Sequence, residues 1–121
     1  MGKRKALRKS REERREEALR PCPYLGYDHD QLGAYLMERA AFRVAEAEFR
    51  RAVWLNPYEA SFKAHLAGSL YCQGRNGEAK EWIAKAFEQR PGDKEAERLR
   101  AKIEKELAQE LREKSRREPS L

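Results

Sequence analysis

A self-similarity at a fixed offset of 34 residues constrains the fold of this chain more than any other feature of its sequence. Six apolar or structural positions return with unchanged spacing. The matching pairs are Leu32 and Leu66, Leu36 and Leu70, Ala45 and Ala79, Phe49 and Ile83, Ala52 and Ala86, and Pro57 and Pro91. A repeat of this length is one helix-turn-helix unit, which cannot bury its apolar face alone and therefore stacks on a neighbour.

The spacing within each unit predicts helices. Leu32 and Leu36 are four residues apart, so they lie on one helical face. Asp28 and Gln31 have the spacing of a capping box at the start of the first helix, and Asn76 is predicted to cap a later one. No segment alternates polar and apolar residues, so we expect no sheet.

Both units resemble the tetratricopeptide repeat (TPR), and the resemblance covers roughly residues 26–93. Gly74 stands where that family often has glycine between its two helices, and Ala40 stands there in the first unit. The family's usual aromatic residue near the start of each unit is replaced by His29 and Lys63. The resemblance implies that the first helix of each unit lines a concave groove that binds other proteins.

The predicted architecture is all-α, with two stacked helix-turn-helix TPR-like repeats, a long C-terminal capping helix and a basic N-terminal arm. The predicted segments are a helical or disordered arm (1–20), a proline-rich linker (21–27), the two repeats (28–57 and 58–92), the capping helix (93–114) and a tail (115–121). Two repeats are fewer than a stable stack usually needs, so the capping helix is expected to cover one end.

The capping helix carries an apolar stripe that is longer than the predicted contact with the repeats. Ala96, Leu99 and Ile103 are expected to pack on the second repeat. Leu107 and Leu111 continue the stripe beyond its predicted reach. They are interpreted either as the solvated end of the cap or as a free edge for a partner, which includes dimerisation through a second copy.

Positive charge is concentrated in the N-terminal arm, because residues 1–20 carry +5 of the net charge of +6. The predicted electrostatic arm residues are Lys3, Arg4, Lys5, Arg8, Lys9, Arg11, Arg14 and Arg15. Three interpretations remain open: a tail that is solvated or docks on an acidic protein, a contact with nucleic-acid phosphates, and a contact with an anionic membrane. No aromatic residue interleaves with the basic ones, so we expect no base stacking by the arm.

The resemblance implies a set of groove-facing residues on the first helix of each unit. They are Tyr27, Asp30, Gln31, Ala34, Met37 and Glu38 in the first unit, and Ser61, Ala64, His65, Gly68, Tyr71 and Cys72 in the second. The small residues leave room for an inserted side chain, and the tyrosines are candidate anchors. An alternative occupant is the chain's own segment 21–27, in which Tyr24 and Leu25 need burial.

The charges in this set indicate the kind of partner. Relatives that grip chaperone C-termini use Lys, Arg and Asn on this face, whereas the corresponding positions here hold Asp30, Ala34, Ala64 and Gly68. We therefore expect no such carboxylate clamp. Asp30 and Glu38 favour a partner with lysine or arginine.

Several classes of function find no support in the sequence. His29, His65, Cys22 and Cys72 lack the spacing of a metal site, and no catalytic triad or phosphate loop occurs, so we expect no metal, no cofactor and no enzyme activity. No apolar segment is long enough to span a bilayer, and no secretory signal is present, so we expect a cytoplasmic protein. Trp54 on a second helix is a candidate docking patch on the outer face.

The predicted function is therefore a scaffold for protein–protein interaction, or a small accessory subunit, that binds a partner through the groove with electrostatic help from the arm. The alternative is a nucleic-acid or ribosome-associated factor that contacts phosphates through residues 1–20.

Overall fold

Helices are the regular elements throughout the part of the chain that the computed structural model describes, which is residues 10–11 and 24–117. They are α1 (Tyr27–Glu38), α2 (Phe42–Leu55), α3 (Ala60–Cys72), α4 (Asn76–Gln89) and α5 (Lys94–Arg117). Each helix packs on the next one in the chain, and α1 and α5 also contact α3. These residues contain no strand, so the prediction of an all-α fold is confirmed.

The backbone repeats with the same 34-residue offset as the sequence, since α2 and α4 begin and end at equivalent positions. The turn before each of them contains a residue in the left-handed region, Ala40 with φ 60° and Gly74 with φ 78°. The next amide nitrogen in each turn donates a hydrogen bond to the carbonyl oxygen of Leu36 or Leu70, at 2.9 and 3.0 Å. The sequence repeat is therefore also a repeat of backbone geometry.

The helix starts differ from the prediction. Gly26 is the N-cap of α1, in the left-handed region at φ 91°, and no side chain caps this helix. Asp28 lies inside the first turn, where its charge is favourable near the positive end of the helix dipole. Arg75 is the N-cap of α4, so Asn76 is already helical. The predicted capping box and the predicted Asn76 cap are both wrong, because the N-cap of α1 lies two residues before Asp28 and the N-cap of α4 lies one residue before Asn76.

The core follows the repeat positions. Its largest fully buried side chains include Phe49, Leu66, Leu70, Ile83 and Ile103. Buried alanines of α2 and α4 occupy the close contacts between helices, where larger side chains would hold the backbones apart. The apolar face of each unit is thus buried against the next element along the chain.

Helix α5 closes the C-terminal end of this core. Ala96 and Ile103 are buried in the core, and Leu107 packs against it. The prediction that Leu107 lies beyond the reach of the repeats is therefore wrong. Leu111 is 67% exposed. The helix runs to Arg117, three residues past the predicted end, and its last turns extend into solvent.

The other end of the stack is uncovered within the described residues. Leu66 is fully buried, because α2 packs over α3, whereas its equivalent Leu32 in α1 is 45% exposed. Tyr35 and Val44 are also exposed near this end. The two repeats therefore have equivalent backbones but different surroundings.

Candidate binding groove

A groove lies between α1, α3 and α5 and encloses a cavity of about 520 Å³. Its lining residues are Ala34, Met37, Phe49, Ser61, Ala64, His65, Gly68, Arg90, Asp93, Glu95, Ala96 and Leu99. Ligand pockets in proteins typically measure about 300–1,000 Å³. The groove is thus large enough for one or two side chains of a bound segment.

Small residues create this space. Ala34 on α1 and Ala64 on α3 present only methyl groups to the cavity. Gly68 presents none, and a Cβ atom there would lie 3.8 Å from Cδ2 of Leu99 on α5. Because these positions carry little bulk, their side chains leave the space between α1 and α5 unfilled. A channel beside α3 therefore remains open.

The polar feature of the groove is a hydrogen bond between Nδ1 of His65 and Oδ1 of Asp30, at 2.7 Å. This hydrogen bond holds the pKa of His65 above its ordinary value; burial opposes the shift, and the charges of Asp30, Glu95 and Asp93 add to it. The imidazole ring also lies 5.7 Å from the ring of Phe49, measured between centroids. A protonated His65 is thus stabilised by the acidic residues around it.

The far edge of the groove is formed by the turn before α5. Arg90, Asp93 and Glu95 line it, and Oδ1 of Asp93 accepts a hydrogen bond from the backbone nitrogen of Glu95 at 3.1 Å. Asp30 lies on the opposite wall, so the charges of three carboxylates, those of Asp30, Asp93 and Glu95, act on His65. The groove therefore combines an apolar floor with acidic edges, an arrangement suited to an apolar side chain next to a cationic one.

Six of the twelve residues predicted to face the groove line the cavity. They are Ala34, Met37, Ser61, Ala64, His65 and Gly68. Asp30 reaches the cavity through its hydrogen bond with His65. The remaining five, Tyr27, Gln31, Glu38, Tyr71 and Cys72, do not line it.

Neither tyrosine proposed as an anchor reaches the cavity. The hydroxyl of Tyr27 donates to Oε2 of Glu59 at 2.6 Å, and its ring packs edge-on against Phe62. This hydrogen bond raises the pKa of Tyr27 and lowers that of Glu59. Tyr71 is partly buried against the core. Both rings are thus held by contacts within the stack and are not free to anchor a ligand in the cavity.

Half of the lining was not predicted. Phe49, Arg90, Asp93, Glu95, Ala96 and Leu99 line the cavity in addition to the predicted set. Five of them come from α5 or the turn before it. The apolar spacing in α5 predicted its packing on the second repeat, but the sequence contains no signal that this packing also builds one wall of the groove.

The N-terminal predictions fall mainly outside the described residues. Tyr24 is exposed and neither Tyr24 nor Leu25 lines the cavity, whereas residues 21–23 of the segment predicted to fold back lie outside the description. Arg11 is helical and exposed. The other arm residues, Lys3, Arg4, Lys5, Arg8, Lys9, Arg14 and Arg15, lie outside the described residues.

Within the described ranges, no helix is both long and apolar enough to cross a membrane. In the same ranges, no three or more His, Cys, Asp or Glu side chains are grouped so that they could hold a metal ion. No protein-family model matches the chain, and no curated protein matches it.

Proposed function

We propose that this protein is a non-catalytic cytoplasmic scaffold, or a small accessory subunit of a larger assembly, that holds a segment of a partner protein in the groove between α1, α3 and α5. The observation that carries the proposal is the cavity of about 520 Å³, which has an apolar floor and carboxylates at both edges. Grooves of this kind bury an anchoring side chain of a partner, and such anchors supply most of the binding energy.

We also propose that the two units are TPR-like repeats. The repeated helix bounds of α2 and α4 and the repeated left-handed residues in the preceding turns support it. The start of α5 supports it too, because Lys94 follows Ala60, the first residue of α3, at the same 34-residue offset. Helix α5 thus takes the place of the first helix of a third unit and completes the groove.

The chemistry of the lining defines the partner segment. An apolar side chain of the partner would pack between Met37, Phe49 and Leu99. A neighbouring lysine or arginine would lie beside Asp30 on one wall or Glu95 on the other. Arg90 at the edge disfavours a second cation at that position, so one basic residue next to one apolar residue is the expected pattern.

A peptide selection tests this function. The full chain is immobilised and used to select from a random displayed peptide library, and the affinities of selected peptides are then measured by calorimetry. We expect the peptides to share an apolar residue next to Lys or Arg. Ala34→Trp fills the cavity from α1 and should weaken binding by at least about tenfold, because it excludes the anchor.

The matched control is Ala84→Trp, which adds the same bulk at an exposed position on α4 that does not line the groove. This variant should bind like the parent. Peptides that lack a basic residue, or that bind the Ala34→Trp variant with unchanged affinity, would show that the groove is not the binding site.

A further inference from the structure

The outward face of α2 differs in chemistry from that of α4, although the two helices are equivalent in the repeat. Arg43, Arg51 and Trp54 are exposed on α2 and lie within one sector of the helix, since they are 8 and 11 residues apart. Their equivalents on α4 are Gly77, Lys85 and Glu88. The repeat fold itself therefore does not require cationic and aromatic residues at these positions.

Two exposed aromatic residues lie at the C-terminal end of α2 and in the turn that follows it. Trp54 is 71% exposed and Tyr58, in the turn that follows α2, is 79% exposed. Tyr24 is also exposed, but its ring packs edge-on against Tyr27, with 6.5 Å between the ring centroids. The turn that contains Tyr24 lies against Ala52 on the buried face of α2, so Tyr24 is not part of the outward surface that carries Trp54.

This surface carries positive charge that has few neighbouring carboxylates. The guanidinium of Arg51 lies over the ring of Trp54, 4.8 Å from its centroid. The carboxylates of α2 are engaged elsewhere, with Glu48 paired to His29 at 2.7 Å and Glu46 buried between α2 and α3. Asp28 in the first turn of α1 is an exposed acidic residue near this end. The sequence also connects this end of the stack to residues 1–20, which carry a net charge of +5.

We propose that this aromatic-cationic surface, formed by Arg43, Arg51, Trp54 and Tyr58, binds single-stranded nucleic acid. Unpaired bases stack on the exposed rings, and phosphates pair with the two arginines. An acidic peptide supplies the negative charge but no planar groups for the rings, and a duplex keeps its bases stacked internally. None of the four residues lines the groove, so this inference does not depend on the proposed binding of a partner protein.

The surface supplies a contact with bases that the basic arm lacks. The arm lacks aromatic residues and can contribute only phosphate contacts. The rings at the end of α2 supply the stacking that the arm cannot. Binding should therefore depend on both salt concentration and Trp54.

Fluorescence anisotropy of labelled oligo(dT) and oligo(U), each about 15 nucleotides long, tests the inference on the full chain in about 50 mM salt. Trp54→Ala should weaken binding by roughly tenfold, because one stacked base is lost. Arg51→Ala should weaken binding and reduce the slope of log affinity against log salt by about 0.7, the value for one phosphate of a single strand. Lys85→Ala, its equivalent on α4, should leave both quantities unchanged.

A second readout follows the tryptophan directly. In a Trp82→Phe background, Trp54 is the tryptophan that emits, and its fluorescence should be quenched as the oligonucleotide binds. Circular dichroism confirms the fold of each variant, which the exposure of Trp54 should preserve. The inference is overturned if the parent does not bind, if Trp54→Ala binds like the parent, or if polyglutamate or a duplex competes as well as the unlabelled single strand.

Discussion

Gly33 of α1 lies directly against the ring of Phe49 of α2, so closely that a methyl group at Gly33 would overlap the ring. The equivalent residues of the second repeat are Ala67 and Ile83, and both are buried in the core. The first repeat thus pairs a glycine with a large ring, and the second pairs an alanine with a smaller side chain. The two residues at this helix contact therefore fill a similar total volume in both repeats, although each helix contributes a different share of it.

This relationship predicts the effect of adding one methyl group. Gly33→Ala should lower the free energy of unfolding by about 1–3 kcal/mol, because the added methyl group forces the ring of Phe49 out of its packed position. Urea denaturation followed by circular dichroism measures the change. Gly77→Ala in α4 is the control, since a Cβ atom there meets nothing within 4 Å. The packing argument fails if the two variants change stability equally.

The left-handed residues predict opposite effects in the two repeats. Ala40 has φ 60°, a conformation that costs a residue with a side chain about 1 kcal/mol relative to glycine. Ala40→Gly should therefore stabilise the protein by up to about 1 kcal/mol. Gly74→Ala should destabilise it by a similar amount, through backbone strain alone, because a Cβ atom at Gly74 meets nothing within 4 Å. Thermal denaturation of both variants checks the pair; a shift in the same direction would contradict it.

The capping helix predicts a contrast between two apolar residues on one stripe. Ile103 is fully buried, and Ile103→Ala should destabilise the fold by about 2–5 kcal/mol through the cavity that it leaves. Leu111 is 67% exposed, and Leu111→Ala should change the free energy of unfolding by less than about 0.5 kcal/mol. Chemical denaturation distinguishes them. A large loss for Leu111→Ala would mean that this residue is buried by a second copy or by another part of the chain.

The pair of His65 and Asp30 predicts a dependence on pH. Because the folded-state pKa of His65 lies above its ordinary 6.5, the charged imidazole stabilises the fold fully below 6.5, and this contribution is lost as the pH rises through the raised value. Asp30→Asn removes the main cause, so the pKa of His65 should fall and this part of the pH dependence should diminish. An NMR titration of the His65 imidazole resonances measures its pKa in the parent and in Asp30→Asn. An unchanged His65 titration in the variant would show that the hydrogen bond to Asp30 does not set its pKa.

The polar contacts between the repeats were not visible in the sequence. Glu46 accepts hydrogen bonds from Arg75 at 2.6 Å, Arg50 at 2.8 Å and Gln73 at 3.0 Å. Burial alone would raise the pKa of Glu46, but the hydrogen bonds from Gln73 and Arg50 and the arginine charges outweigh it, and the pKa lies below its ordinary value. Gln73 and Arg75 lie 27 and 29 residues from Glu46 along the chain. Such contacts depend on how α2 and α3 are placed, which local spacing does not encode.

The sequence by itself determined the length of the repeat, the helical character of both units and most core positions. These properties follow from local periodicity, because residues three or four apart share a helical face whatever the rest of the chain does. The same reasoning, together with the resemblance to TPR repeats, predicted six residues on α1 and α3 that line the groove.

The tertiary structure alone decided what the helical faces meet. It placed α5 as the second wall of the groove, turned Tyr27 toward Glu59, and left Leu32 exposed where the equivalent Leu66 is buried. The physical reason is that the periodicity of a helix defines a face but not its neighbour. The neighbour depends on where the chain places the next helix, and equivalent residues of a repeat differ wherever one unit has a covering helix that the other lacks.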